Sequence, residues 1–259
     1  MPDAECIVVD DGSTDDTASL AEQHGARVVS HPYSKGNGAA IKTGARAATG
    51  GILVFLDGDG QHRPEDIPTL LAALDKGYDM IVGARDKGSQ ADSFRAIANG
   101  IYNKLASLIT GHKIIDLTSG FRVVKADKFK EFLYLLPNGF SYPTTCTMAF
   151  FRAGYSVGYV PIKTEKRLGE SHISLLKDGV RFLLIIFKVG TLYSPLKIFL
   201  PAAAGFFLTG CGYYLYTYVT AGRFTNMSAV LFMTSILVFL IGLVSEQVTA
   251  LMYKDSDRD

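Results

Sequence analysis

The sequence predicts an open, doubly wound α/β domain followed by two membrane-spanning helices, and three observations carry that reading. Up to about Arg167, apolar stretches of strand length alternate with amphipathic stretches of helix length, the alternation that builds a mainly parallel sheet. Several strands run straight into charged residues, as expected where an open sheet offers ligand-binding groups at its carboxyl edge. From Leu196 onward charge almost vanishes, which is the composition of a bilayer-spanning segment. The 259-residue chain is 48% hydrophobic and 20% charged, too apolar for a disordered protein. Its formal net charge of +1 gives no global attraction for nucleic acid, so no nucleic-acid partner is expected and any anion site must be local.

Glu5 to Val9 is a short apolar strand that enters Asp10-Asp11-Gly12-Ser13-Thr14-Asp15-Asp16-Thr17, a loop of turn formers. Ser13, Thr14 or Asp15 can cap the helix that follows to about Gln23. Ala26 to Ser30 is the next strand. Gly36-Asn37-Gly38 opens a helix from about Ala39 to Ala48, closed by Thr49-Gly50-Gly51. These glycines suit a tight turn better than a phosphate cradle, because the third spaced glycine of the dinucleotide fingerprint is absent.

Gly51 to Leu56 is a continuous apolar run that delivers Asp57-Gly58-Asp59-Gly60-Gln61-His62. Two hard carboxylates at a strand exit suit Mg²⁺ or Mn²⁺ carrying a diphosphate, although Asp-Gly dipeptides also make plain turns. An EF-hand is excluded, since its obligatory glycine falls on His62 and its terminal glutamate on Pro68. Pro64 starts a helix whose apolar set Ile67, Leu70, Leu71 and Leu74 faces the sheet. Asp79 to Ala84 is a further strand with Arg85 at its exit. Phe94 to about Leu108 is helical, and Arg95, Asn99 and Asn103 recur along one face as solvated surface or as a binding stripe.

Asp116 to Arg122 leads into Val123-Val124 and a helix from about Ala126 to Leu136. Apolar segments at Thr145 to Arg152 and Ser156 to Pro161 precede the polar run Lys163 to His172, a mobile loop or a linker. His172 has no carboxylate partner motif and is assigned no proton transfer. Leu175 to Val189 is apolar, with Lys177, Arg181 and Lys188 on one face, the pattern of a helix lying in the membrane interface. Ile198–Val219 and Met227–Val244 carry no charge and are each long enough to span a bilayer, joined by a turn at Gly222-Arg223. Basic residues outside the spans outnumber Arg223 between them, so both ends are expected in the cytoplasm. The expected divisions are a cytosolic domain over 1–172, an interfacial helix over 173–195, a membrane hairpin over 196–254 and a cytosolic tail over 255–259. Cys6, Cys146 and Cys211 lack metal-ligand spacing and read as reduced residues, and the first five residues do not resemble a signal peptide.

Four motifs, in order, resemble those of family 2 glycosyltransferases of the polyprenol-phosphate (dolichol-phosphate) mannose and glucose synthase type. They are Val8 to Thr17, Asp57 to Ile67, Ser119-Gly120-Phe121-Arg122 and Arg167-Leu168-Gly169-Glu170-Ser171, and the resemblance extends to the C-terminal membrane anchor. It implies a GT-A fold and an inverting transfer of one hexose from a nucleotide sugar to a polyprenyl phosphate, with GDP-mannose and UDP-glucose fitting equally. On the matching positions, Asp10 and Asp11 would contact the nucleoside, while Asp57, Asp59 and Gln61 would hold the metal and diphosphate. Arg85, Arg95 and Asn99 would hold the lipid phosphate, and Arg122 and Arg167 would act as clamps. Arg167, Gly169, Glu170 and Ser171 would form a gate loop over the donor, and His172 stands where relatives carry lysine. The implied catalytic set is Asp59, Gln61, Arg85, Arg122 and Arg167.

The family's opening strand, which ends in a Pro-x-Tyr-Asn-Glu-like turn, has no counterpart here. The expectation is therefore an N-terminally incomplete domain with two unpaired strand edges. That leaves an inactive membrane scaffold as the alternative to an enzyme. A processive polysaccharide synthase shares the acid pair but carries a Gln-x-x-Arg-Trp motif, and this chain has no tryptophan. A hydroxyl acceptor would need a general base that the sequence does not offer. Homo-oligomerisation is left open.

Overall fold

A computed structural model describes residues 4–85, 93–139, 141–164, 187, 190, 191 and 193–254, with 93–99, 253 and 254 described by backbone alone. The chain divides into two compact units, Met1–Leu108 with His112–Gly179, and Ile109–Gly111 with Val180–Asp259.

In the first unit, β1 (Ile7–Asp10) leads through a loop to α1 (Thr17–Gln23) and β2 (Arg27–Ser30), which pairs parallel to β1. The helix start is fixed by Asp15, whose carboxylate accepts hydrogen bonds from the Thr17 backbone N–H and hydroxyl. Then come α2 (Asn37–Ala47), β3 (Ile52–Phe55), a single 3₁₀ turn at Pro64–Asp66, α3 (Ile67–Leu74) and β4 (Met80–Arg85). They are followed by α4 (Ser93–Thr110), β5 (Arg122–Lys125), α5 (Ala126–Lys130), α6 (Tyr142–Arg152) and β6 (Val157–Ile162). The second sheet has the order β3-β5-β4-β6: β6 runs parallel to β4, while β5 inserts antiparallel between β3 and β4. The strands are therefore mostly parallel, as expected, but they form a two-stranded and a four-stranded sheet.

The predicted stripe on α3 packs as read. Leu70 and Leu74 meet Ile81, Phe121, Val123 and Ile162 in one buried cluster. The helix expected over Ala126 to Leu136 is shorter: α5 ends at Lys130, and three-residue turns close Phe132 on Phe129 and Leu135 on Phe132. Pro137 follows, and the residue before a proline is pushed out of helical conformation. Phe129, Phe132 and Leu136 are nevertheless buried, so the apolar spacing reported burial and overstated the helix. Helix α6 is buried along nearly its whole length, and burial pushes its Cys146 thiol up to about 11, the mark of an inert core residue.

The second unit holds α7 (Pro195–Ala221) and α8 (Asn226–Lys254), both long and apolar enough to cross a membrane. Pro201 sits in the second turn of α7, and the helix ends on Gly222 in left-handed conformation. The two helices meet along small residues seven apart: Ala203, Gly210 and Thr217 face inward on α7, and Ser228, Ser235, Gly242 and Thr249 on α8. Ser235 Oγ donates to the Ala203 carbonyl at 2.8 Å, while Gly210 lies against Phe232 and Gly242 against Phe199. The large apolar residues point outward instead, with Leu208 68% and Val219 75% exposed, the arrangement of a hairpin whose solvent is lipid. At its base, Glu246 accepts the Leu196 backbone N–H at 3.2 Å, placing a carboxylate at the positive end of α7. The expected interfacial helix over 173–195 lies mostly outside the described residues.

Candidate active site

The site is assembled where β1, β3 and β4 end. Asp10 is buried, and its Oδ1 accepts the Ser13 N–H at 3.1 Å, which folds the loop after β1. Asp11 takes four donors: the Lys35 and Gly36 backbone N–H groups at 2.9 and 2.8 Å, the Ser34 hydroxyl at 2.9 Å and the His31 ring at 2.7 Å. Burial raises the affinity of Asp11 for a proton, but these hydrogen bonds outweigh it and hold the carboxyl far below the usual carboxylate range. Both Asp11 oxygens are thus engaged inside the protein. What this residue gives the site is a fixed loop from Ser34 to Gly36.

That loop delivers the N-terminus of α2. Gly36 has φ +101°, and a Cβ on Gly38 would stand 2.0 Å from the Pro137 carbonyl oxygen. The Ala39 N–H is shared between the Gly36 and Asn138 carbonyls, so the helix start is filled by protein and the glycines serve a tight packing turn, as the sequence favoured. Asn37 extends its amide N–H₂ to Asp57 Oδ1 at 3.4 Å, while its own Oδ1 is buried with no hydrogen-bond partner in the protein.

Asp57 and Asp59 leave β3 together. A Cβ on Gly120 would come within 2.5 Å of Asp57 Oδ2, so a side chain there would displace this carboxylate. Asp59 Oδ1 accepts the Gln61 N–H at 3.1 Å. His62 packs on Phe121 with ring centroids 5.3 Å apart, and its buried Nδ1 has no partner. Burial pushes the His62 imidazole down, opposed by the charges of Asp57 and Asp59 and reinforced by Arg85. One imidazole thus feels both carboxylates and the arginine, so these groups share one environment. The residues present fit a hard divalent cation, because two carboxylates, one with a buried amide oxygen beside it, offer oxygen donors only. Among the described residues no three His, Cys, Asp or Glu side chains cluster with metal-site geometry, so such an ion would complete its shell from Gln61, water and its own diphosphate.

Arg85 is positioned by a partner the sequence did not reveal. Its Nε and Nη2 donate to the two oxygens of Asp116 at 2.8 and 2.9 Å, its backbone N–H reaches Asp116 Oδ2, and Nη2 also meets the Thr118 hydroxyl. Burial acts to raise the Asp116 carboxyl, but Arg85 wins and holds it below its ordinary value. Asp116 further accepts the Thr118 and Ser119 N–H groups. Asn103, one of the three stripe residues on α4, clasps the same loop: its amide donates to the Ile115 carbonyl at 2.7 Å and accepts the Leu117 N–H at 3.1 Å. Asn103 is therefore not solvated surface. The side chains of Arg95 and Asn99 lie outside the described residues, as do Arg167, Gly169, Glu170 and Ser171 of the expected gate loop.

Arg122 corrects an expectation. Read as a diphosphate or acceptor clamp, it is wholly buried and spends its donors inside the protein, on the Ser119 carbonyl at 2.8 Å, the Leu117 carbonyl at 3.1 Å and the Thr147 hydroxyl at 2.7 Å. A guanidinium so enclosed cannot reach a substrate. It anchors from within the loop that carries Asp116 and Gly120.

Comparison with known proteins identifies the family. The glycosyl transferase family 2 profile matches residues 1–133, and the profile of the GtrB C-terminal hairpin matches residues 194–251. The chain is 28% identical to glycosyltransferase AglJ of Haloferax volcanii, over 96% of this chain and 86% of the relative. It is 32% identical to undecaprenyl-phosphate 4-deoxy-4-formamido-L-arabinose transferase of Edwardsiella ictaluri, over 67% of this chain and 54% of that protein. Among solved structures, glucosyl-3-phosphoglycerate synthase from Mycobacterium tuberculosis, in complex with Mn²⁺, UDP and glucosyl-3-phosphoglycerate, superposes with a TM-score of 0.54 at 25% identity, covering 70% of this chain and 66% of that one.

Proposed function

The chain belongs to glycosyl transferase family 2, and from that premise we propose that it moves one hexose from a nucleotide sugar to a polyprenyl phosphate with inversion at the anomeric carbon. The observation that carries the reading is that one loop meets both parts of the site, its Gly120 lying against the Asp57 carboxylate and its Asp116 holding Arg85. The name of the Edwardsiella relative supports a polyprenyl phosphate acceptor, and the Mn²⁺ and UDP in the mycobacterial neighbour support a metal-assisted donor site.

The acceptor sets the chemistry. A phosphate monoester, with a second pKa of about 6, is already anionic at neutral pH, so no general base is needed. The difficulty is charge. Two like charges ~4 Å apart repel by roughly 4 kcal/mol at an effective dielectric of 20, which is about three decades in rate. Arg85, held rigid by Asp116, cancels part of the negative charge of the lipid phosphate, with Arg95 and Asn99 of α4 as further acceptor ligands. Asp57, Asp59 and Gln61 would hold Mg²⁺ or Mn²⁺, which when bound neutralises the departing diphosphate. A lipid phosphate oxygen then bonds to the anomeric carbon as the bond to the diphosphate breaks, and the nucleoside diphosphate leaves. Asp10 and the Asp11-fixed loop cradle the nucleoside, and Arg167, Gly169, Glu170 and Ser171 close over the donor. The donor is GDP-mannose or UDP-glucose, and the catalytic unit faces the cytoplasm.

Membranes carrying the protein, supplied with each nucleotide sugar and polyprenyl phosphate, should form a lipid-linked hexose with one donor. Asp59→Ala should abolish that product and the metal-dependent retention of nucleotide. Wild-type rates in Asp59→Ala would remove the assignment.

A further inference from the structure

Asn37 carries an atom for which the reaction described above has no use. It is the first residue of α2, and its two neighbours in the chain are held through their backbone. The Gly36 N–H donates to Asp11 at 2.8 Å, and Gly38 lies so close to the Pro137 carbonyl that no side chain fits there. The Asn37 side chain therefore leaves a fixed frame. Its amide nitrogen donates to Asp57 Oδ1 at 3.4 Å, while its oxygen, shut off from solvent, has no hydrogen-bond partner. An unpaired buried acceptor is costly, and a ligand that completes it is one of the few ways to recover the loss. The atom is not isolated. Five buried side-chain polar atoms lack a partner among the described residues, and two of the others are His62 Nδ1, on a ring that feels the charge of Asp57, and Ser119 Oγ, next to the glycine that abuts Asp57. Three of the five thus belong to segments that meet at one carboxylate.

The chemistry of an amide oxygen narrows what it can take. It accepts and does not donate, so it repels a phosphate oxygen and calls for a hydrogen donor or a cation. A cation on Asp57 does not fit this atom, because the amide turns its N–H₂ end, and not its oxygen, toward that carboxylate. What remains is a hydroxyl, and a nucleotide sugar offers hydroxyls on its ribose and on its hexose.

We infer that Asn37 Oδ1 accepts a hydroxyl of the nucleotide sugar, which makes Asn37 a residue that selects the donor. This rests on the reading of the site proposed above. A site built to bond a hydroxyl rejects the analogue that lacks it, because its own buried group is then left unpaired.

The full chain in detergent is titrated with UDP-glucose and GDP-mannose in the presence of Mn²⁺. The parent should retain one of them, and Asn37→Ala should bind it about tenfold more weakly, the effect of one lost hydrogen bond. Asn37→Ser, whose side chain is too short to span the same distance, supplies a second probe should Asn37→Ala not fold. The matching nucleoside diphosphate and its 2′-deoxy and 3′-deoxy forms then locate the hydroxyl. If variant and parent bind the nucleoside diphosphate alike, the hydroxyl is on the hexose. If the variant binds it more weakly but equals the parent with one deoxy form, the hydroxyl is on the ribose. Equal loss with all three overturns the inference, since the cation or Asp57 then accounts for the effect. Unchanged retention of the nucleotide sugar overturns it too and leaves the proposed function standing, whereas a parent chain that retains no nucleotide sugar removes both.

Discussion

The side chain that most constrains the site is one that never meets a substrate. Arg122 is fully buried, and its three oxygen acceptors are two loop carbonyls and Thr147. Replacing it by methionine keeps most of the volume but strands those acceptors, each worth about 1 kcal/mol or more when left unpaired in the interior. Arg122→Met should therefore lower the stability of the catalytic unit by about 3 kcal/mol, read as a fall in the thermal unfolding midpoint in detergent, and unchanged unfolding would refute the anchoring role. Asp11 and Asp116 both contribute to the acid limb of stability. Both carboxyls are held below their ordinary value of 3.8, so their contribution is fully present above that pH and is lost as pH falls through their lower folded values. Asp11→Asn should weaken the protein at neutral pH and flatten its decline in acid, as a series of melting curves against pH would record. These residues also mark how far the sequence could be read. The acid pair Asp57 and Asp59 was legible as two carboxylates ending an apolar run, although a plain Asp-Gly turn fitted the same residues. The bond from Asp116 to Arg85 joins residues far apart in the chain, and burial of Arg122 depends on a strand inserted between two others, so neither was visible from residue type.

At the scale of elements, glycine does unequal work. Gly38 faces the Pro137 carbonyl oxygen so closely that a methyl group cannot enter without moving backbone, whereas a Cβ on Gly51 would meet nothing within 4 Å. Gly38→Ala should displace the start of α2 from the 137–139 segment and, through Asn37, disturb Asp57. Its yield of folded protein and its nucleotide retention should both drop, while Gly51→Ala should match the parent in the same assays. The membrane hairpin makes the same distinction. A Cβ on Gly242 would press within 2.7 Å of Phe199, while Gly212 faces open space. Gly242→Val should separate the helices and lower the melting temperature in detergent, and Gly212→Val should not. The seven-residue spacing of Ala203, Gly210 and Thr217 was present in the sequence all along. A hydropathy reading passes over it because small residues in an apolar run scarcely change the mean, although they decide which face of each helix meets its partner. Strand direction was less accessible still, since Val123-Val124 reads as a strand whichever way it runs.

For the whole molecule, the question is which side of the membrane each unit occupies. Lys197 lies in the first turn of α7 and Lys254 is the last residue of α8, both at the ends away from the turn, while Arg223 stands alone in the turn between the helices. With Lys177, Arg181 and Lys188 also preceding the first span, the basic excess lies on the side of the termini, and positive charge near span ends is retained in the cytoplasm. The proposed reaction asks for the same orientation, because a nucleotide sugar bears at least two negative charges and cannot cross hydrocarbon unaided. The chain carries its own reporter for this: Cys6 is exposed on the catalytic unit, Cys146 is buried, and Ala221 is exposed at the far end of α7. In intact cells a membrane-impermeant maleimide should label Ala221→Cys and leave Cys6 untouched until the membrane is permeabilised. Labelling of Cys6 from outside would put the acid pair on the face that charged donors cannot reach, and the transfer reaction would then lack a substrate whatever the geometry of Asp57, Asp59 and Arg85.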